Sequence, residues 1–196
     1  MPNAEPESTG LIKWLSDAAL AADFGLISTA SLVVGVACAD TERRTVLMTA
    51  LAVICSGAFS IAAENYLSVA SEADRERAEL ARRRQLIDGD ARGEPTEGEP
   101  DLPASEPARP LHAAFAAAVR FVLGGTLPLL VVIWAPRALL VPLTVASSLT
   151  LLALLGATAA RADGANEWKA VARSTFWGAL AMGATALEGL LFGAAM

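Results

Sequence analysis

What most limits the fold of this chain is the grouping of its apolar residues. They fall into blocks of about twenty, the length a helix needs to cross roughly 30 Å of hydrocarbon. Five blocks can be marked, at 17–39, 45–70, 113–134, 138–160 and 170–193. With 54% hydrophobic and 18% charged residues, the 196-residue chain is too apolar for an ordinary soluble domain. The expectation is an all-α integral membrane protein with five transmembrane helices. Residues 1–16 form a cytoplasmic N-terminal segment and 17–70 hold helices 1 and 2. A charged cytoplasmic helix follows at 71–90, then a disordered linker at 91–110, then helices 3 to 5 within 111–196. Pro128 should kink the third span, and Pro142 should lie near the start of the fourth.

Basic residues set the orientation, because cytoplasmic loops carry the excess of Lys and Arg. Of the 15 Lys and Arg, all but Arg43, Arg44 and Arg137 fall before the first span, around 71–120, or between the fourth and fifth spans. That places the N-terminus in the cytoplasm and, with an odd number of spans, the C-terminus outside. The segment "SEADRERAELARRRQL" continues the second span as a charged helix, with Glu79 and Arg83 at the favourable i,i+4 spacing. The segment "IDGDARGEPTEGEPDLPASEPARP" is too rich in Pro, Gly and Glu to bury a core. The N-terminus "MPNAEPESTG" lacks the basic start of a signal peptide, so the first helix is expected to be retained.

Several functions are disfavoured at once. The net charge of −6 is concentrated in one polar segment, which speaks against nucleic acid as a partner. There are two Cys and one His, with no CxxC or HExxH spacing, so a zinc site of the usual kind is absent. His112 has no clustered partner and is not expected to be a ligand. No nucleophile–base set, phosphate loop or cofactor motif points to an enzyme or a bound cofactor.

The informative residues are the polar ones inside the spans, because intramembrane carboxylates are expensive. Asp23 and Glu64 both lie roughly 25–30 Å from the turn "DTERRT" if the first two spans form a hairpin. Together with Asn65, Ser60 and Ser68 they would offer hard oxygen ligands, suited to divalent iron or manganese. Ser56, Ser60, Glu64, Ser68, Glu72 and Glu76 recur every fourth residue, a stripe that either lines a path to the cytosol or makes ordinary contacts. Gly25, Ser28, Ser31 and Gly35 make a small-residue face, used for packing within the chain or as a dimer seam. Glu188, near the far end of the fifth span, has either a structural or a proton or ion role.

The stretches "GLISTASLVVGVACA", "SGAFSIAAENYLSVASEADRERAELARRR", "PLHAAFAAAVRFVLGGTLPLL" and "RSTFWGALAMGATALEGLLFG" resemble the vacuolar iron transporter (VIT)-like family, which includes nodulin-21-like proteins. The resemblance covers all five blocks in order. It implies a homodimer of five-span subunits in the lipid bilayer, moving Fe²⁺ or Mn²⁺ as substrate out of the cytosol, in exchange for protons. It also implies an ion path between subunits, lined by the first two spans. The short, bacterial-looking form points to the cell membrane.

The chain departs from the family pattern. The family's Asn-Asp-Gly stands as Asp23-Phe24-Gly25, so its metal-binding Asp falls on Phe24. The family's Ser-Met-Ala-Ala-Gly-Glu-Tyr falls on Ser60 to Tyr66, with Ile61 for Met, Glu64 for Gly and Asn65 for Glu. Both acids have moved one residue toward the N-terminus, about 100° around a helix. Only the first helix of the family's cytoplasmic metal-binding domain is matched. The expected site is Asp23, Glu64, Asn65 and Ser60 as ligands, with Tyr66 and Ser68 supporting them. The competing reading is a non-transporting membrane scaffold on the same fold.

Overall fold

The computed structural model describes residues 6–90 and 109–194, with side chains placed for 22–83 and 109–194. Five long helices form it: α1 (Pro6–Cys38), α2 (Arg43–Asp90), α3 (Pro110–Trp134), α4 (Leu140–Ala162) and α5 (Glu167–Gly193). A single 3-10 turn, Arg137–Leu139, leads into α4. Among the described residues every regular element is helical. Four helices are long and apolar enough to cross a membrane: α2, α3, α4 with its 3-10 turn, and α5. The described apolar part of α1, Ala22–Cys38, is shorter than the others. The chain is therefore a multi-pass membrane protein.

The helix ends follow local chemistry. Pro110 sits in the first turn of α3, where its missing N–H is not needed. Asn166 caps α5 by accepting a hydrogen bond from the Lys169 N–H at 3.2 Å. α2 runs unbroken from the membrane block into the charged segment, so the second apolar block and the charged helix are one 48-residue rod. Pro128 lies inside α3 and is buried, and Pro142 falls in the first turn of α4. α1 starts at Pro6, earlier than the block beginning at 17. Most of the linker expected at 91–110 lies outside the described residues.

α1 is the central helix and packs on all four others. The packing is close because small residues let backbones meet. Gly25 faces the Phe121 carbonyl of α3, and Gly124 of α3 faces the Ala22 carbonyl of α1. Gly189 of α5 faces the Gly35 carbonyl in the same manner. The Thr185 hydroxyl donates to the Ser31 carbonyl at 2.7 Å, a second tie between α5 and α1.

Two apolar clusters fill the rest. Val33, Val46, Ala50, Val132 and Leu140 join α1, α2, α3 and α4 near the turns at Asp40 and Arg137. Ala30, Val34 and Met182 join α1 to α5, with Val145 and Leu149 of α4 packed on them.

The small-residue face of α1 is thus used mainly inside the chain. Gly25, Ser31 and Gly35 are buried against the chain's own α3 and α5. Only Ser28 opens onto a cavity.

Candidate functional site

A groove of about 910 Å³ opens between α1, α2 and α3. Its α1 wall is Phe24, Ser28 and Leu32. Its α2 wall carries Ser56, Ser60, Glu64 and Asn65, and its α3 wall carries His112, Arg120 and Phe121. The groove lies on the side of the bundle away from the Asp40 and Arg137 turns and stops below the Val33–Val46–Val132 cluster.

Three of the four expected ligands are here. Glu64 and Ser60 are exposed on the groove wall, and Asn65 is half-buried. The Asn65 amide nitrogen donates to the Ile61 carbonyl one turn back, at 2.9 Å. That tether uses the donor half of the amide and leaves the carbonyl oxygen for a ligand. Glu64 thus offers carboxyl oxygens, and Asn65 and Ser60 offer neutral hard oxygens.

Asp23 is not on the groove wall. It shares a face of α1 with Ile27, Ala30 and Val34, at spacings of four, seven and eleven residues. That face is the one packed against α4 and α5: Ile27 approaches Gly178 together with Leu152, and Ala30 and Val34 meet Met182. The Asp23 Oδ1 is buried without a hydrogen-bond partner. The structure does not bring Asp23 and Glu64 to one wall of the groove. Similar depth does not bring the two carboxylates together, because Asp23 is turned about 100° from Phe24, which takes the groove position.

The supporting residues also separate. Tyr66 and Ser68 lie off the groove. Ser68 lines a second concavity of about 500 Å³ on the charged part of α2, with Glu72, Arg75, Glu76 and Glu79. The fourfold stripe on α2 is therefore continuous in function of place: Ser56, Ser60 and Glu64 face the groove, and Ser68, Glu72 and Glu76 face the second concavity. Glu188 is exposed on α5 and lines neither.

Two groove residues escaped the sequence reading. Arg120 lies ten residues into α3, about 15 Å along the helix, and so belongs to the span rather than to its flank. His112, set aside for want of a neighbour, shares the groove with Glu64. The available signal was the i,i+4 spacing of His112, Ala116 and Arg120, which puts all three on one face of α3. Among the described residues no three His, Cys, Asp or Glu side chains gather into a metal cluster, so one chain offers a single carboxylate in the groove.

A family model described as the VIT family matches residues 15–99 and 95–190. The chain belongs to the VIT family. Vacuolar iron transporter homolog 1 of Oryza sativa subsp. japonica is 38% identical, over 88% of this chain and 71% of the relative. Vacuolar iron transporter homolog 2 of the same plant is 35% identical, over 87% of this chain and 86% of the relative. The vacuolar iron transporter of Acanthamoeba castellanii is 31% identical, over 93% of this chain and 80% of the relative. Membership of the VIT family bears out the resemblance carried by the five apolar blocks.

Proposed function

We propose that this VIT-family protein is a divalent metal transporter that carries Fe²⁺ or Mn²⁺ out of the cytosol, driven by proton exchange, with all five helices crossing the membrane and the N-terminus cytoplasmic. The observation that carries the reading is the Glu64–Asn65–Ser60 oxygen set on the wall of an open groove. The relatives' names support a transporter rather than an enzyme, and name iron for those proteins. Those names also refer to the vacuole for those proteins, whereas our reading for this chain is the cell membrane. In either membrane the ion leaves the cytosol.

The α2 stripe supplies the approach: acids at Glu72 and Glu76 draw cations to the second concavity, and Glu64 receives them in the groove. One carboxylate is a thin ligand set for a divalent ion, which prefers six or more oxygens for calcium-like and octahedral sites. A homodimer with the open sides of two grooves facing each other would double it.

The test is uptake of Mn²⁺ and Fe²⁺ into liposomes holding the full chain, with and without a pH gradient. Gradient-driven uptake supports the reading. Folded, inserted protein that moves neither ion would favour the second reading, a non-transporting scaffold. That alternative draws on Arg120, whose positive charge in the groove opposes a cation.

A further inference from the structure

The face of α5 turned away from the bundle carries side chains in a definite order. The buried positions of α5 are Gly178, Met182 and Gly189, which meet α1 and α4. Counted from Lys169, Arg173, Phe176, Trp177, Leu180 and Leu187 stand four, seven, eight, eleven and eighteen residues on. Those steps keep them on one face, opposite the buried one. All six are exposed, Phe176 and Trp177 at 61% and 59% and the two leucines at 50% and 58%.

The order along the helix is that of a phospholipid read from its headgroup. Lys169 and Arg173 come first, in the opening two turns of α5. Phe176 and Trp177 lie one turn deeper, edge to face with ring centroids 5.6 Å apart. Leu180 and Leu187 continue into the apolar part of the span. Arg173 to Leu180 is about 10 Å along the axis, within the roughly 15 Å of one leaflet's hydrocarbon.

The protein does not neutralise these two cations. Among the described residues neither takes part in an ion pair, and the acid nearest in sequence, Glu167, is held by Arg161 at 2.9 Å. The other end of the bundle differs. Trp134 is 80% exposed there, yet the basic residue nearest to it in sequence, Arg137, is paired with Asp40 at 2.9 Å. Exposed aromatics at both ends fit an interfacial belt. Unpaired cations beside Trp177 add a charge that a lipid of no net charge does not answer.

We propose that this face of α5 binds an anionic phospholipid, with its phosphate on Lys169 and Arg173 and an acyl chain along Phe176, Trp177 and Leu180. Long cationic side chains reach the phosphate level while their stems lie on apolar surface. The proposed topology puts this end of α5 at the cytoplasmic leaflet, where anionic lipids concentrate. The inference does not depend on metal transport.

Trp177 is the reporter. Trp14→Phe/Trp134→Phe/Trp168→Phe leaves it as the one tryptophan of the full chain. The protein is placed in vesicles of four parts phosphatidylcholine to one part phosphatidylglycerol. Bromine is carried either on the phosphatidylglycerol or on an equal amount of the phosphatidylcholine. Trp177 fluorescence should be quenched about twofold or more strongly when the anionic lipid carries the bromine. Adding Lys169→Gln/Arg173→Gln should make the two equal. A chain keeping only Trp134 should show no preference.

Equal quenching of Trp177 in the parent, or a preference that survives the double Gln change, would overturn the proposal. A matching preference at Trp134 would overturn it too, by assigning the effect to the whole surface. Weak quenching by both lipids would show that a second copy covers this face instead. If the triple variant does not fold, the parent chain in detergent carries the comparison by native mass spectrometry. It should retain phosphatidylglycerol over phosphatidylcholine, and Lys169→Gln/Arg173→Gln should not. Equal retention of the two lipids by the parent would overturn the proposal.

Discussion

Asp23 and Phe24 are adjacent in sequence and occupy different sides of α1. Phe24 stands in the groove toward α2 and α3, and Asp23 lies on the side packed against α4 and α5. The α4–α5 side is closed by glycine contacts and by the Ala30–Val34–Met182 cluster. The α2–α3 side is joined to α1 at the Gly25–Gly124 crossing, at Thr29 against Gly125 and at the Val33–Val46–Val132 cluster, yet it opens as a groove along Phe24, Ser28 and Leu32. The difference teaches that depth in the membrane does not define a site. For a central helix, the side on which a polar residue emerges decides whether it meets an ion or the packed interior.

The comparison breaks most severely where α1 and α3 cross. A side chain at Gly124 would collide with the Ala22 carbonyl, which is backbone and cannot step aside. Gly124→Leu should abolish a monodisperse peak on size exclusion in detergent, whereas Gly183→Leu, with nothing within 4 Å of its added Cβ, should elute as the parent does. Loss of the peak in both variants would mean that the crossing is not what holds the groove wall in place.

A milder change sharpens the groove side. Arg120 faces the same cavity as Glu64, and a guanidinium there repels a divalent cation in a medium of reduced dielectric. Arg120→Ala should raise Mn²⁺ uptake in liposomes several-fold. A fall in uptake would show that Arg120 orders the groove instead of opposing the ion.

The smallest effect belongs to the turn that ends the packed side. Arg161 and Glu167 pair at 2.9 Å between α4 and α5. The hydrogen bond from Arg161 holds the Glu167 carboxyl below its usual range. Because that value is depressed on folding, the contribution is present above the unfolded carboxylate value and is lost as pH falls through the folded one. Arg161→Ala should lower the Tm by no more than about 2 °C near neutrality, since exposed pairs are weak. The difference should shrink as pH falls below the ordinary carboxylate range and vanish once Glu167 is protonated in the folded protein too. A difference that persists in acid would assign the effect to packing rather than charge.

Much of this architecture was legible in residue patterns. Apolar block lengths located the helices, and the prolines fell where backbone chemistry allows them. The fourfold stripe on α2 located both concavities, because a regular step along one helix keeps residues on one slowly winding face. Asp23 was grouped with Glu64 because depth can be counted along a chain, while the side of a helix that meets each neighbour depends on how five helices pack. Arg120 was counted with the basic residues of the polar side although it lies inside the block at 113–134, because charge counting along the chain says nothing of the helix face that carries a residue. The Gly25–Ser31–Gly35 face was visible as a contact surface, yet its partner was not, since small residues admit any backbone equally well.

The most direct test of the account is gradient-driven Mn²⁺ uptake by Glu64→Gln and Asp23→Asn side by side in liposomes, each shown to be folded and inserted. Glu64 is exposed on the groove wall and Asp23 is outside it. The account predicts at least a tenfold loss for Glu64→Gln and uptake within about twofold of the parent for Asp23→Asn, a tenfold change being about 1.4 kcal/mol. Loss in Asp23→Asn with uptake kept in Glu64→Gln would contradict it, and would move the ion path to the α4–α5 side of the central helix.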